Sequence, residues 1–429
     1  MPKSIHKVIG TLCLIGALTA AASGCSSKNP AAEKTSNPNI NASEPVELKV
    51  FSGFAETAID FDDVFVKPVQ KKHPNISAKL VNGVKLENLV STGDIPDLIV
   101  VSVLNLFPLK EMGLLSDLNP LIKQHSFDLS RIHPEIMDSV KQYSEIGEIV
   151  ALPYFINFNA LYYNKDIFDR FGVAYPKDGM TWDEVLELAK KVTQTVDGVN
   201  YRGLDPENIT RLASSLGVQY ADSNSTNGVL QNWKPGYELF QRIMSIPGNL
   251  PSDPKKFDKN AFVKDRTVAM VATTNMLKDF QTSAEQGQPL NWDMVTYPQY
   301  KEKPGTFGVA GARVVVIPPQ SKHREEAFRL LESILSDEAQ MEQNKNGLMS
   351  ALVSPEVQKT FGSGIEHLKG KNVQAAYKLK PGWRVLTPYD DSAAKIILNH
   401  SADITKGKDI NSVIRETDEE IGKMINQLK

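Results

Sequence analysis

Few of the side chains that do chemistry in proteins stand at working distances in this sequence. The seven histidines (His6, His73, His125, His133, His323, His367 and His400) are scattered. No two sit four residues apart on one helix, so a histidine-based zinc site has no local signal. Asp222 to Gly228, DSNSTNG, starts like a calcium loop. The sixth position, which needs glycine for the sharp turn, is Asn227, and the twelfth, which needs a bidentate glutamate, is Trp233. The segment therefore reads as a polar surface loop. There is no GxSxG elbow and no P-loop, and Gly362-Ser-Gly364 marks only a turn. A glycosidase would need two carboxylates roughly 5 to 9.5 Å apart across a groove. Asp390 with some remote acid could imitate that pair, but no acid–base pair can be placed. Neither a metal nor a cofactor is expected.

The two cysteines, Cys13 and Cys25, both lie near the start. Lys3 and Lys7 precede an uncharged, mainly apolar run from Val8 to Ala22, too short to span a bilayer permanently. Ala22-Ser23-Gly24-Cys25 resembles a bacterial lipobox, in which the cysteine thiol takes diacylglycerol. Residues 1–24 are thus expected to be a lipoprotein signal, with Cys25 the lipidated residue. Residues 25–45 are rich in Ser, Asn, Ala, Pro and Lys and read as a flexible tether. Cleavage there would leave no cysteine for a disulfide, a metal or a thiol nucleophile. Acyl chains on Cys25 would hold the protein stably at the outer face of the cell membrane. The net charge of −3 over 429 residues excludes a strongly basic nucleic-acid binder, and the length exceeds one ordinary core.

The elements alternate. Val46 to Phe51 reads as a strand, Phe61 to His73 as a helix with Phe65 and Val69 on one face, and Asn75 to Val81 as a second strand. That order calls for a parallel sheet with a right-handed crossover. Leu86 to Ser91 is a short helix, and Leu98 to Ser102 is a wholly apolar strand, as in a sheet covered on both faces. Ile149 to Pro153 and Ala160 to Tyr163 are strands; Asn164 to Phe171 is a helix stopped by Gly172. Thr181 and Glu184 form a capping box for a helix whose stripe is Val185, Leu188, Ala189 and Val192. Further helices are expected near Ile209 to Gly217, Tyr237 to Ile246, Glu325 to Leu335, Asp391 to His400 and Ile410 to Leu428. Trp292 to Pro298 is a strand, and Phe307 to Ile317 is a single strand stopped by Pro318 and Pro319.

The stretch from Leu152 to Val192, with its YNKDIFDRFGV and MTWDEVLELAKKV segments, resembles the family 1 extracellular solute-binding proteins of ABC importers, the maltose-binding-protein group. GDIPDLIVVS at 93–102 and the GLL segment at 113–118 agree with it; at Phe262 to Val271 the chain departs, with Asp265-Arg266 where the family has Gly. The resemblance implies an α/β fold of two lobes, each a mixed sheet flanked by helices, joined by three interlobe crossings. Lobe 1 would comprise 46–156 and 300–354, and lobe 2 157–299 and 355–429. It also implies a monomeric binding protein, not an enzyme, that captures a small solute, most plainly a saccharide, and delivers it to the membrane subunits of an ABC permease. A lipid-anchored surface hydrolase acting on carbohydrate, or a ligand-binding partner of a membrane sensor kinase, are the alternatives.

Cleft residues follow from the same resemblance. They are Ser52, Gly53 and Phe54 after the first strand, and Ser102 and Asn105 after the third. Asn157 at the first crossing, Asn275, Trp383, Tyr389 and Asp390, with Asp391 beside it, complete the set. A pyranose has an apolar face that wants an aromatic platform and hydroxyls that want planar hydrogen-bonding groups. Met276 and Val101 stand where sugar binders of the family often carry aromatics; Phe54, Phe155, Trp233, Trp383 and Tyr389 remain as candidates, and Trp182 is assigned to packing.

Overall fold

Runs of apolar, β-branched residues become strands in two five-stranded mixed sheets, beside which a two-stranded pair stands separately. The computed structural model describes residues 44–55, 58–222, 229–309 and 311–429. The expected signal, Cys25, nearly all of the tether and the DSNSTNG loop beyond Asp222 lie outside the described residues. Among the described residues the strands are β1 Val46–Ser52, β2 Ile76–Val81, β3 Leu98–Ser102, β4 Leu152–Ile156, β5 Asn159–Asn164, β6 Gln194–Val196, β7 Val199–Asp205, β8 Val268–Thr274, β9 Trp292–Thr296, β10 Thr306–Val309, β11 Ala312–Val316 and β12 Lys380–Gly382. No helix among them is long and apolar enough to cross a membrane.

The first lobe is built on a sheet of order β2-β1-β3-β11-β4. β1 runs parallel to β2 and β3, while β11 is antiparallel to β3 and β4. β3 sits in the middle, and Leu98, Ile99 and Val100 are wholly buried, which is why that strand carries no alternation. Helix Arg324–Ile334 covers one face, burying Ala327, Leu330, Leu331 and Ile334 completely. The segment after β1 is not one regular helix. A π-helical stretch, Asp62–Val66, gives way to the α-helix Lys67–Lys72. Pro68 has no N–H to donate to Val64, and the altered register before it absorbs that loss. Phe65 and Val69 are still buried together.

The second lobe is built on β6-β7-β8-β5-β9. β5 is antiparallel to both β8 and β9, and each of its six residues is buried. Asn164 accepts the Asp166 N–H to start helix Lys165–Phe171, and Gly172 ends it at φ 64°. The capping box at Thr181 and Glu184 forms in both directions, and Val185, Leu188, Ala189 and Val192 are buried as the stripe requires.

The expected single strand from Phe307 to Ile317 divides into two. β10 pairs in parallel with β12, and β11 joins the first sheet. Within β10, Gly308 has a φ of 95°, a backbone state that glycine alone adopts cheaply. A Cβ there would lie 2.3 Å from Ser214 Oγ, and one on Gly382 would lie 2.7 Å from the Gly308 carbonyl carbon. The strand expected over 149–153 also forms three residues later at its start, as β4.

The chain passes from the first sheet to the second between β4 and β5, where the Asn157 N–H donates to the Gly311 carbonyl at 2.9 Å. It returns between β9 and β11. After helix Asp337–Lys345, Ser350 and Leu352 bridge to Phe155 and Ile132, and Val357 packs into the first-lobe core. The turn Val373–Tyr377 then packs against the second sheet. Behind these passages Gln142 clasps the far lobe: its Nε2 donates to the Arg384 carbonyl at 3.1 Å and its Oε1 accepts from the Leu386 N–H at 2.8 Å.

Candidate ligand cleft

Strands of both sheets end beside the passages, and the loops after them supply the side chains. On the first lobe the ends of β1, β2 and β3 surround an open cavity of about 970 Å³. Ser52, Gly53, Phe54 and Asn105 line it together, with Asn82 and Lys85 from the loop after β2. Gly53 is held by its N–H to the Val100 carbonyl at 2.8 Å, and a Cβ on it would meet that oxygen at 3.4 Å, so the chain runs close to β3 here. Ser52 Oγ accepts from the Phe54 N–H at 3.2 Å. The Phe54 ring then lies under the Arg313 guanidinium, 4.2 Å from ring centre to carbon, with Phe155 5.4 Å away on the same cation. This stack fixes an aromatic face at the cavity edge.

The other expected cleft residues sit elsewhere. Ser102 closes β3 and accepts from the Leu104 N–H at 3.3 Å; it neighbours Gly311 rather than the cavity. Asn157 is half-buried at the first passage. Asn275 Oδ1 caps helix Leu277–Glu285 through the Leu277 N–H, and its Nδ2 donates to the Gly347 carbonyl, each at 3.0 Å. Trp383 follows β12 and is 45% exposed. Tyr389 precedes helix Asp390–Ile404 and is half-buried. Asp390 is buried, and its carboxylate accepts from the Arg384 guanidinium and from both the N–H and the hydroxyl of Thr387. Arg384 in turn lies 4.0 Å over the Tyr220 ring. Trp182 is buried against Tyr297 and Tyr300, and Trp233 is wholly buried, so both pack.

A polar cluster on the second lobe has no counterpart in the residues read from sequence. After β7 the chain turns through Glu207, a non-glycine residue at φ 68°. Its carboxylate receives Arg211 Nε and Nη2 at 3.0 and 3.1 Å and the Thr273 hydroxyl at 2.5 Å. Arg211 Nη1 donates to Asn159 Oδ1 at 3.0 Å, and Asn159 Nδ2 donates to the Phe307 carbonyl at 2.7 Å. Burial works against the Arg211 charge, but the Glu207 carboxylate outweighs it and holds the guanidinium pKa above its usual value. These residues stand at the ends of β7 and β8 and the start of β5, all at the end of the sheet beside the passages. The local signal was the quartet Asp205-Pro-Glu-Asn208 closing a strand, with Asn208 capping the next helix.

The two-lobed architecture has close structural counterparts. A sugar transporter protein of Rhizobium etli, in an open conformation, superposes with a TM-score of 0.73 at 19% identity, covering 88% of this chain and 99% of that one. An ABC substrate-binding protein of Listeria monocytogenes in complex with cycloalternan gives 0.72 at 18% identity, over 89% and 100%. A Brucella abortus protein named as a candidate binding protein is 24% identical over 327 residues, 71% of this chain and 75% of its own length. At these identities the likeness speaks for the fold. The family model for bacterial extracellular solute-binding proteins matches residues 55–341, well over half of the sequence, and the chain belongs to that family.

Proposed function

We propose that this chain is the capture subunit of an ABC importer for a saccharide, and that its cleft holds the sugar without altering it. The observation that carries the reading is the first-lobe cavity of about 970 Å³, bordered by the Phe54 face and by the hydroxyl and amide groups of Ser52, Asn82 and Asn105. An aromatic plane beside planar and hydroxyl hydrogen-bonding groups is what a pyranose needs. The Listeria neighbour was solved with an oligosaccharide, and the Rhizobium neighbour is described as a sugar transporter; both support the same class. We take the lobes to divide at 156/157, 299/300 and 354/355, with Asn157 and Asn275 reaching the solute from the passages and Ser102, Trp383 and Tyr389 bordering the closed cleft. A monomer tethered through lipidated Cys25 on the outer face of the cell membrane would then present its closed form to the permease.

Closure follows from differential affinity. A solute touching both lobes shifts a mostly open population to mostly closed if it favours the closed state by roughly 5 kcal/mol, which a micromolar binder worth about −8 kcal/mol can supply. The test is a thermal-shift screen with malto- and manno-oligosaccharides, cycloalternan and non-carbohydrate metabolites. A true solute at about 100 times its dissociation constant adds about 2.7 kcal/mol of stability. Chromatography of the incubated sugar should return it intact. Stabilisation by non-carbohydrates alone would overturn the saccharide assignment, and a new product would overturn capture without chemistry.

A further inference from the structure

A charged contact between side chains joins the two lobes. Lys278 Nζ lies 2.8 Å from Asp60 Oδ2, and the two side chains are 75% and 43% exposed. Asp60 belongs to the first lobe: its neighbour Phe61 stacks on Phe65, which packs on Tyr154 of β4. Lys278 belongs to the second: Phe280 of the same helix stacks on Trp292 of β9 at 4.0 Å and meets Tyr162 of β5. Lys278 is the second residue of helix Leu277–Glu285, where the helix dipole disfavours a cation. The adjacent Asp279 is engaged by Lys259 at 2.8 Å, and Lys278 pairs with a carboxylate on the other lobe. Its backbone is fixed by Asn275, which caps the helix and binds Gly347.

We propose that the Asp60–Lys278 pair is a latch between the lobes, so that the open–closed equilibrium responds to ionic strength even with no solute bound. An exposed ion pair alters an equilibrium by about two- to fivefold, enough to bias closure and too little to lock it. Because the effect precedes solute binding, its failure would leave the capture reading untouched.

The test uses the full-length chain with Cys13→Ser and Cys25→Ser, carrying a fluorophore pair at Glu111→Cys and Lys264→Cys, one on each lobe. Single-molecule energy transfer then reads the ratio of near to far lobe separations in the absence of any solute. At low salt, Asp60→Asn and Lys278→Gln should each lower the near population about two- to fivefold. The double variant should fall no further than either single one, and the reversed pair, Asp60→Lys with Lys278→Asp, should return the original ratio. In about 1 M salt, where charges are screened within roughly 3 Å, the differences should vanish. Unchanged ratios in both single variants, additive losses in the double, or no recovery on reversal would each overturn the latch.

Discussion

Phe54 is held by two constraints of different kind, its own backbone turn through Ser52 Oγ and the cation of Arg313 above its ring. Its ring also borders the cavity, so Phe54→Ala should weaken binding of a sugar found in the screen by about 1 to 2 kcal/mol, roughly 5- to 30-fold, with little change in melting temperature. Calorimetric titration measures it. Arg211 makes a different case. Removing it strips the half-buried Glu207 charge of its bidentate partner and leaves it the Thr273 hydroxyl, so Arg211→Ala should cost about 3 kcal/mol in denaturant unfolding. Asp418 gives the chain a pH signature. Burial is the first cause that raises its pKa from 3.8 to about 6, and the Leu230 N–H it accepts only partly offsets that. A carboxyl whose folded pKa lies above its unfolded one favours folding while protonated. Its contribution is therefore full below about pH 4 and is lost as pH rises through about 6. Asp418→Asn should flatten that part of the stability profile and raise the melting temperature at pH 7.5; an unchanged profile between pH 4 and 7 would count against it.

Capping and glycine geometry decide how the elements stand. Thr181→Ala removes the capping box of helix Trp182–Val192 and should lower stability by about 1 kcal/mol, read as a fall in melting temperature. Gly308→Ala should cost more, about 2 kcal/mol or above, since it adds both a strained φ and a contact with Ser214. Adding Ser214→Gly should recover the steric share alone. Much of this level was legible in the residues. The apolar run at 98–102, the Gly172 stop and the Thr181–Glu184 box are local signals, and each formed where its chemistry placed it. The close packing at Gly308 was not legible, because it depends on Ser214 and Gly382, which approach only after folding. Glu207 and Arg211 were hidden for the same reason: a Glu in a turn four residues before an Arg looks like any surface pair until Asn159 and Thr273 arrive from other strands. Asp390, expected at the cleft, carries an internal partner that no spacing rule announces.

The molecule as a whole is a pair of sheets whose strands are interleaved along the sequence. β11, at residues 312–316, lies between β3 and β4 and pairs with both. A ribosome that has already produced three hundred residues has still not delivered the piece that joins β4 to the rest of the first sheet. Until it emerges, β3 and β4 each present an unsatisfied edge, and the contacts that would lock this half must wait for a partner over 150 positions downstream. Late completion of this kind keeps the first lobe from closing on itself until most of the chain has been made.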